Sequence, residues 1–365
     1  MKIGIDARVF KYKEYSGIPK AIFEVLKQWI DNNTEHEYYL ISNTEVCFPI
    51  TLPSNWKIVI VPAFTGSGTL WQIFRLANII RKLGIDVFWG TNFMLPAKKV
   101  RNCKYLLTIH DLAFEVMPEV VSWKTNLILR IFCKRACKQA DYIHAVSEST
   151  ANDIVRQYHI DKSKVKTVYW GAPVSEHISN GVDDIGKRFF LVLGTIEPRK
   201  NIETIVEAFD EFKKEDTNDI HLIFAGKWGW KFEGFKKRIE ESKYKPYIHV
   251  YEYVDDDLKE KLLDSAECLL YPSLYEGFGL PILEAYQHGT QVITSYNSSI
   301  PEVGGDACLY IHSPNDYKEL ADCMNKVIDL SDGEKDNYKL KMEKQLLAFS
   351  WDSCASDIIE IITKE

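Results

Sequence analysis

The chain of 365 residues contains no apolar run that approaches the ~18 residues needed for a bilayer-spanning helix, which argues against a helical integral membrane protein. Its eight cysteines are scattered, no two of them form a CxxC pair, and no histidine lies at zinc-ligand spacing from them. We therefore expect buried, reduced thiols in a cytosolic protein. A GxGxxG fingerprint is absent after the first predicted strand, which disfavours nicotinamide-dependent chemistry.

The composition is that of an ordinary globular protein. Hydrophobic residues make up 46% of the chain and charged residues 27%, which argues against intrinsic disorder. The net charge of -7 gives no general attraction to nucleic acid or to an anionic membrane, although it does not describe local patches. The chain begins directly with a strand-like segment, so we expect no signal peptide and a cytoplasmic location. Its length exceeds the roughly 250–300 residues of a single hydrophobic core, which predicts two domains.

Short apolar runs alternate with amphipathic stretches, a pattern typical of parallel strands joined by helices. In the first half we predict helices at 20–29, 70–83 and 124–138, and strands at 2–5, 38–41, 57–61, 87–89, 105–109 and 142–146. The polar segment 175–186 then interrupts the pattern. After it we predict a helix at 202–212 and strands at 189–193, 221–225, 248–252, 268–271 and 291–294.

This arrangement predicts an α/β protein with two Rossmann-like, doubly wound domains. We place the first domain at 1–173 and the second at 182–347, and we expect a last helix at about 348–365 to pack back onto the first. Ligands of such sheets bind beyond the carboxyl ends of the strands. If those two edges face each other, the cleft between the domains is the natural site for a substrate with two halves.

The most informative segment, 271–285, runs from an apolar strand through a glycine-containing turn into a helix. Gly277 and Gly279 leave backbone N–H groups accessible, and the helix start adds partial positive charge, which together suit a phosphate or a hydroxyl-rich anion. Glu276 lies at the mouth of this turn. Glu284 lies on the first turn or so of the helix, where a carboxylate can accept hydrogen bonds from vicinal hydroxyls such as those of a ribose. The alternative is a solvent-exposed loop followed by a helix with a dipole-favoured glutamate.

Candidate ligand-binding residues follow three other predicted strands. Arg199 and Lys200 suit a diphosphate and would stabilise it as a leaving group, with an ordinary surface pair as the alternative. His110 ends the strand 105–109, where it either binds a ligand or is packed and hydrogen-bonded. Gly17, between the first strand and the first helix, would let the backbone approach a phosphate.

Two further patterns favour a structural interpretation. The run Asp255-Asp256-Asp257 contains a metal-binding Asp-x-Asp pattern, but it precedes a helical stretch, so helix capping is the favoured interpretation. The basic helix predicted at 123–138 could contact an anionic membrane, although an ordinary surface helix with a buried apolar face is favoured. Its cationic residues, which no acid accompanies, are Lys124, Arg130, Lys134, Arg135 and Lys138, and its apolar ones include Trp123, Leu127, Ile131 and Phe132.

At these segments the chain closely resembles glycosyltransferase family 4, a retaining family with the GT-B fold. Within that family it is similar to the mannosyltransferase-B-like branch, whose members help to build O-antigen polysaccharides. The resemblance covers nearly the whole chain and is carried by 4–8, 16–18, 110–114 with 118–119, 145–149, 194–201, the Glu276-x7-Glu284 element and 299–307. One departure is Thr195, which stands where many family members have an arginine.

The resemblance implies a role for each domain and for each of these site residues. The domain at 1–173 would be the acceptor side, and the domain at 182–347 would bind the nucleotide sugar. The catalytic set would be His110 near the sugar 6-hydroxyl, Glu276 at the donor sugar, and Arg199 and Lys200 at the diphosphate. The donor-binding set would be Gly17, the backbone of Gly277, Phe278, Gly279 and Leu280, and Glu284 at the ribose. Neither a metal ion nor a cofactor is implied, since cationic side chains and a helix N-terminus would stabilise the diphosphate.

The implied reaction is transfer of a hexose from a nucleotide diphosphate sugar to an acceptor hydroxyl, with retained anomeric configuration. GDP-mannose is the favoured donor and a lipid-linked cell-surface glycan the expected acceptor, with peripheral contact to the inner membrane face and no nucleic acid partner. Three alternatives remain: a UDP-sugar donor, an epimerase or phosphorylase of the same fold, and a catalytically silent scaffold. Retention of the charged residues Arg199, Lys200, Glu276 and Glu284 argues against the scaffold.

Overall fold

The computed structural model describes residues 1–13, 15, 17–32, 35–63, 68–121, 123–173, 187–229 and 231–364. The chain divides into two compact units. Unit 1 comprises Met1–Gly171 and Phe349–Glu365, and unit 2 comprises Ala172–Ala348. The polar segment 175–186, which we expect to separate the domains, lies outside the described residues.

Unit 1 is built, within its described part, on one sheet of seven parallel strands. The strands are β1 (Lys2–Asp6), β2 (Glu37–Ser42), β3 (Trp56–Ile60), β4 (Val87–Gly90), β5 (Lys104–Ile109), β6 (Tyr142–Ala145) and β7 (Val165–Thr167). Their order is β3-β2-β1-β4-β5-β6-β7. The helices are α1 (Ile18–Asn32), α2 (Gly68–Phe74), α3 (Leu76–Leu83), α4 (Ala113–Val116), α5 (Trp123–Gln139) and α6 (Glu148–Tyr158).

Unit 2 contains a second parallel sheet, with six strands among its described residues. They are β8 (Phe189–Leu193), β9 (His221–Ala225), β10 (Ile248–Tyr251), β11 (Cys268–Tyr271), β12 (Gln291–Ser295) and β13 (Cys308–Ile311). The order is β10-β9-β8-β11-β12-β13. The helices are α7 (Ile202–Phe212), α8 (Glu233–Glu241), α9 (Asp256–Ser265), α10 (Leu280–Gln287), α11 (Ile300–Gly304), α12 (Tyr317–Ile328) and α13 (Asp332–Leu346).

These elements follow from the residues that build them. The continuous apolar run Phe189–Leu193 is buried at every position, as expected for a parallel strand covered by helices on both faces. Helix α7 buries one apolar face that includes Ile205, Val206 and Phe209, which confirms the predicted periodicity. Local chemistry sets the helix starts: the Ser147 hydroxyl, for example, accepts a hydrogen bond from a backbone N–H in the first turn of α6.

Both sheets reverse their strand order beside their first strand. In unit 1 the chain moves outward from β1 to β3 and then returns to pair β4 with the other edge of β1. In unit 2 the same reversal places β11 beside β8. Loops diverge at such switch points, which opens a crevice at the carboxyl ends of the two central strands. The loops that follow β8 and β11 are therefore brought together, although some 75 residues separate them along the chain.

The predicted doubly wound fold is confirmed, but three details of the prediction are wrong. Strand β7 was missed because it has only three residues, of which only Val165 is buried. Strand β13 was also missed, although three of its four residues are buried. The single helix predicted at 70–83 is two helices, α2 and α3, which meet at Arg75. The helix is interrupted at Arg75, where the backbone has φ -105°, and apolar residues on both sides stay buried.

The last helix, α14 (Trp351–Thr363), belongs to unit 1 and packs against α1. The indole Nε1 of Trp29 donates to the carbonyl oxygen of Ala355 across 2.9 Å. Gly171 permits the close approach of the Trp351 ring, because a Cβ atom at position 171 would lie 2.4 Å from the Trp351 Cγ. The chain end is therefore anchored by buried aromatic contacts.

The expectation of unpaired thiols is confirmed, since all eight cysteines are free and six of them are buried. Among the described residues, no helix is both long and apolar enough to cross a membrane.

Candidate active site

Side chains of the segment after β12 hold the turn between β11 and α10, and Ser298 Oγ accepts from the backbone N–H of Glu276 at 3.0 Å. Ser299 Oγ donates to the carbonyl oxygens of Glu276, at 3.0 Å, and of Phe278, at 2.6 Å. Gly279 has φ +131°, a conformation that side chains rarely allow, and it forms the N-cap of α10. Pro281 occupies the first turn of the helix, where no N–H is needed. The predicted strand–turn–helix at 271–285 is therefore confirmed.

A buried ion triad lies at this turn. The Glu276 carboxylate is 7% exposed, and its Oε1 lies 2.6 Å from the Lys200 Nζ. Its Oε2 pairs with the Arg199 guanidinium, which also donates to the carbonyl oxygen of Tyr275 at 3.0 Å. Lys200 donates further to the Tyr271 hydroxyl at 3.0 Å and lies 4.4 Å from the centre of its ring. The structure thus brings together three of the four predicted catalytic residues.

The charges of the triad control its pKa values. Burial would raise the pKa of Glu276, but the attraction of Arg199 and Lys200 outweighs it and lowers that pKa to about 2. Burial also lowers the pKa of Lys200, with Glu276 opposing this effect and Arg199 adding to it. Glu197 also pairs with Arg199, at 2.9 Å, so two cations face two carboxylates and their charges balance. The donor groups of Arg199 and Lys200, together with the N–H groups at the start of α10, suit an anion.

The loop after β8 delivers both cations. Arg199 and Lys200 belong to a short 3-10 turn, Pro198–Lys200, which follows Gly194. Gly194 has φ +119°, and a Cβ on Gly226 would lie only 2.0 Å from the Gly194 carbonyl oxygen. The Arg199 carbonyl oxygen accepts from the backbone N–H of Leu274 at 2.9 Å, which joins the loops after β8 and β11. Glycines thus let this loop pack tightly at the switch point.

Glu284 stands slightly apart from the triad. It is the fifth residue of α10, just past the first turn, in agreement with the prediction that it lies on the first turn or so. Its Oε1 lies 3.0 Å from the Nζ of Lys259 on α9. Burial lowers the pKa of Lys259, but Glu284 and other nearby carboxylates raise it overall. Lys259 is a further candidate site residue that the sequence did not reveal, because only the packing of α9 against α10 brings the pair together.

The aspartate run 255–257 caps α9, as the favoured interpretation predicts. Asp255 accepts a hydrogen bond from the backbone N–H of Leu258 at 2.8 Å, and Asp256 and Asp257 lie in the first helical turn. The described residues include no group of three or more His, Cys, Asp or Glu side chains placed to hold a metal ion.

His110 belongs to unit 1 and directly follows β5. It is 94% buried, and its Nε2 lies 2.8 Å from the carbonyl oxygen of Thr91, so Nε2 carries the proton. Nδ1 is buried and has no hydrogen-bond partner among the described residues, which leaves its lone pair as an acceptor. Burial lowers the pKa of His110 to about 4, although the bond to Thr91 opposes this. The imidazole is therefore neutral at neutral pH.

Aromatic packing fixes the orientation of His110. Trp170 is stacked on it with ring centres 5.9 Å apart, and the edge of His144 contacts Trp170 at 4.9 Å. Gly17, the remaining predicted residue of unit 1, has φ +58° and directly precedes α1. An added Cβ at Gly17 would meet no described atom within 4 Å. The neighbouring Ser16 lies outside the described residues.

Comparisons with known proteins agree with this architecture. A family model described as glycosyl transferases group 1 matches residues 176–345, and one described as glycosyltransferase family 4 matches residues 32–176. The O-antigen chain mannosyltransferase B of Escherichia coli is 28% identical over 296 residues, which cover 78% of this chain and 76% of that relative. The O-antigen chain mannosyltransferase RfbU of Salmonella typhimurium is 25% identical over 62% of this chain and 61% of its own length.

Solved structures share the fold at low sequence identity. WaaG, a glycosyltransferase involved in lipopolysaccharide biosynthesis, superimposes with a TM-score of 0.75 and 17% identity over the full length of both chains. HepE from Anabaena, solved with UDP and glucose, has a TM-score of 0.71 and 16% identity, and the match covers 100% of this chain and 99% of that one. These similarities identify the two-domain GT-B architecture.

Proposed function

The chain belongs to the family 4 glycosyltransferases of the GT-B fold, and on that premise we propose that it moves mannose from GDP-mannose to a hydroxyl of a growing, lipid-linked cell-surface polysaccharide. The observation that carries the transfer chemistry is the buried triad of Arg199, Lys200 and Glu276 at the switch point of unit 2. The names of the two curated relatives above support mannose as the transferred sugar.

The triad suits the handling of a nucleotide diphosphate. Arg199 and Lys200 bind the diphosphate and stabilise its growing negative charge, with no metal ion required. Glu276 holds both cations in place and accepts hydrogen bonds from the sugar hydroxyls. Glu284, oriented by Lys259, accepts hydrogen bonds from the ribose hydroxyls.

The proposed reaction retains the anomeric configuration. The bond between the anomeric carbon and the diphosphate oxygen breaks, and the acceptor oxygen forms a new bond to that carbon on the same face. The acceptor proton passes to a phosphate oxygen of the departing GDP. His110 contributes as a neutral acceptor for a sugar hydroxyl through Nδ1.

Donor choice is tested by calorimetry with GDP, UDP and ADP, followed by transfer assays with the corresponding sugars and mannose-containing acceptors. We expect GDP to bind most tightly and GDP-mannose to be consumed only when an acceptor is present. NMR of the product is expected to show an α-linked mannose. If the protein prefers a UDP-sugar, that sugar replaces GDP-mannose as the proposed donor. Conversion of the donor without an acceptor would indicate an epimerase. Binding without turnover would indicate a scaffold.

Metal independence is tested in the same assay. Because Arg199 and Lys200 supply the cationic charge, we expect EDTA to leave the rate of transfer unchanged. A rate that is lost with EDTA and restored by Mg²⁺ or Mn²⁺ would contradict this part of the proposal.

The proposed acceptor is attached to a lipid, and α5 offers a surface for the membrane. Trp123, Leu127 and Ile131 recur every four residues along one helical face and are 72%, 53% and 55% exposed. This differs from the favoured sequence interpretation, in which the apolar face of the helix is buried. We place the apolar stripe in the lipid interface, with Lys124 and Lys134 near anionic head groups.

Vesicle cosedimentation tests the membrane contact. We expect binding to vesicles that contain phosphatidylglycerol, weaker binding to phosphatidylcholine alone, and loss of binding when Trp123, Leu127 and Ile131 are all changed to serine. A matched control changes Leu340 and Leu347, which are exposed on α13 and just after it, to serine. Equal binding by both variants would refute this surface as the contact.

A further inference from the structure

A cavity of about 270 Å³ opens at the carboxyl edge of the sheet of unit 2. Four loops build it, those after β8, β9, β11 and β13, together with the first turns of α7 and α8. Its walls include Glu197, Glu203, Lys231, Phe232, Phe235 and Leu274. The volume is just below the roughly 300–1,000 Å³ of pockets for drug-sized ligands, which suits a single sugar ring.

A sugar ring presents apolar C–H surface and polar hydroxyls, and the lining contains groups that suit both. Phe232 offers an aromatic surface to the apolar C–H side of a pyranose, and the buried Phe235 forms part of the wall. Glu197 and Glu203 offer carboxylate oxygens that accept hydrogen bonds from hydroxyls. Lys231 adds a donor at the rim.

The carboxylate of Glu203 is available for such a ligand. It makes no hydrogen bond or ion pair with any residue in the described part of the chain. Gly234 makes room for it, since a Cβ at that position would lie 2.6 Å from the Glu203 Oε1. The carboxylate therefore rests against the start of α8 and remains open on its other side.

One ion pair connects the cavity to the triad. Glu197 Oε1 lies 3.0 Å from Arg199 Nε, and Arg199 pairs with Glu276 on its other side. Leu274, on the opposite wall, lies two residues before Glu276. A sugar in the cavity would therefore lie beside the transfer centre, although it would not touch the residues assigned to the donor.

We propose that this cavity binds a hexopyranose unit of the acceptor glycan, with Glu203 and Phe232 as its specificity-determining residues. The inference rests on the proposed transfer function, because that function supplies a glycan as the acceptor. The site would hold a sugar unit other than the one whose hydroxyl accepts the donor sugar, and so it would add to the acceptor side that the family resemblance assigns to the first domain.

The test uses the full chain and three probes: methyl α-mannopyranoside, methyl α-glucopyranoside and methyl β-galactopyranoside. We expect saturation-transfer NMR to detect binding of at least one of them without any donor. We expect Glu203→Gln and Phe232→Ala each to weaken that binding roughly tenfold, the equivalent of one hydrogen bond to a charged group. The GDP affinity of both variants, measured by calorimetry, should stay within about twofold of the wild-type value, which would show that the fold is intact.

Glu207→Gln is the matched control, because Glu207 lies one turn further along α7, 3.8 Å from Arg238, and does not line the cavity. Gly234→Ala displaces the Glu203 carboxylate without removing its charge, and we expect it to weaken binding as well. Failure of all three methyl glycosides to bind the wild-type protein would overturn the proposal, as would unchanged binding in both Glu203→Gln and Phe232→Ala.

The site and the proposed function can fail separately. If the wild-type protein binds a methyl glycoside in a Glu203-dependent manner but transfers nothing from GDP-mannose, the site stands and the proposed function falls. If it transfers mannose, and the acceptor KM is the same in Glu203→Gln and Phe232→Ala as in the wild type, the function stands and the site falls.

Discussion

Lys200 and Glu276 form a buried ion pair, with 2.6 Å between Nζ and Oε1, across the two loops that meet at the switch point of unit 2. The pair joins the residue that we assign to the diphosphate with the residue that we assign to the sugar. Because Arg199 binds the other carboxylate oxygen, neither cation can move far without disturbing Glu276. The geometry therefore couples recognition of the sugar to recognition of the phosphate.

Removing the Lys200 charge tests this coupling. Lys200→Met keeps an unbranched side chain beside Tyr271 but removes the ammonium group, which lies 4.4 Å from the Tyr271 ring centre and which we assign to the diphosphate. We therefore expect kcat/KM for GDP-mannose to fall at least ~100-fold. Glu276 keeps Arg199 as its partner, so circular dichroism should show a folded protein. Lys341→Met is the control, since Lys341 on α13 stands over the Tyr338 ring at 5.2 Å and lines neither the triad nor the cavity. Turnover within threefold of wild type in Lys200→Met would contradict the assignment.

The depressed pKa of Glu276 makes a prediction about stability. A carboxyl in the unfolded chain titrates near 4.3, whereas that of Glu276 titrates at about 2 in the folded protein. The stabilisation from its pairing is therefore fully present above pH ~4.3 and is lost as the pH falls toward 2. We expect Glu276→Gln to be clearly less stable than wild type at pH 6 and the difference to narrow by pH 3, as measured by urea unfolding. A constant difference would mean that the carboxylate charge contributes nothing.

Much of this site could be predicted from the order of residue types along the chain. The apolar runs before Arg199 and before Glu276 indicate parallel strands, and parallel strands end at one common edge. The turn at 271–285 was predictable because glycine and proline restrict the backbone in known ways. Such local rules need no information about distant residues.

The pairing of side chains could not be predicted in this way. Whether Glu276 meets Lys200 depends on β11 lying beside β8, which is a property of strand order. The contact between Lys259 and Glu284 depends on how two helices pack. The protonated nitrogen of His110 depends on the Thr91 carbonyl, which belongs to another strand end. Each of these contacts joins segments that are distant in sequence.

Neutral His110 leads to a prediction for pH and activity. An unfolded histidine titrates near 6.5, while burial lowers the pKa of His110 to about 4. The unfolded chain therefore binds more protons in this window, and the protein loses stability as the pH falls below ~6.5. At pH 4.5 this single group accounts for a loss of about 2 kcal/mol.

His110→Phe is the variant that tests this prediction, because it keeps a ring stacked on Trp170 and has no titrating nitrogen. We expect the unfolding free energy of His110→Phe to fall less than that of wild type between pH 7 and pH 4.5. In the transfer assay we expect kcat/KM to fall ~10-fold or more, since the hydroxyl acceptor Nδ1 is lost. Parallel pH profiles for the two proteins would show that His110 does not titrate as described.

The contact between Gly226 and Gly194 makes the last prediction. A Cβ on residue 226 would lie 2.0 Å from the Gly194 carbonyl oxygen, and Gly226 has φ +156°, so Gly226→Ala must displace the loop that carries Arg199 and Lys200. Because the obstructing atom is backbone, no rotamer change can relieve the clash. We expect a loss of more than ~2 kcal/mol in the free energy of unfolding.

Gly333→Ala is the control for this substitution, since its Cβ would meet no described atom within 4 Å and Gly333 lies in the first turn of α13. Alanine there removes backbone freedom from the unfolded chain and is expected to stabilise the protein by about 0.5–1 kcal/mol. If the Gly226→Ala protein folds, GDP affinity separates two effects. If Gly226→Ala loses far more GDP affinity than Gly333→Ala, the loop after β8 positions the cations. If folded Gly226→Ala keeps the wild-type GDP affinity, the diphosphate site does not depend on this close packing.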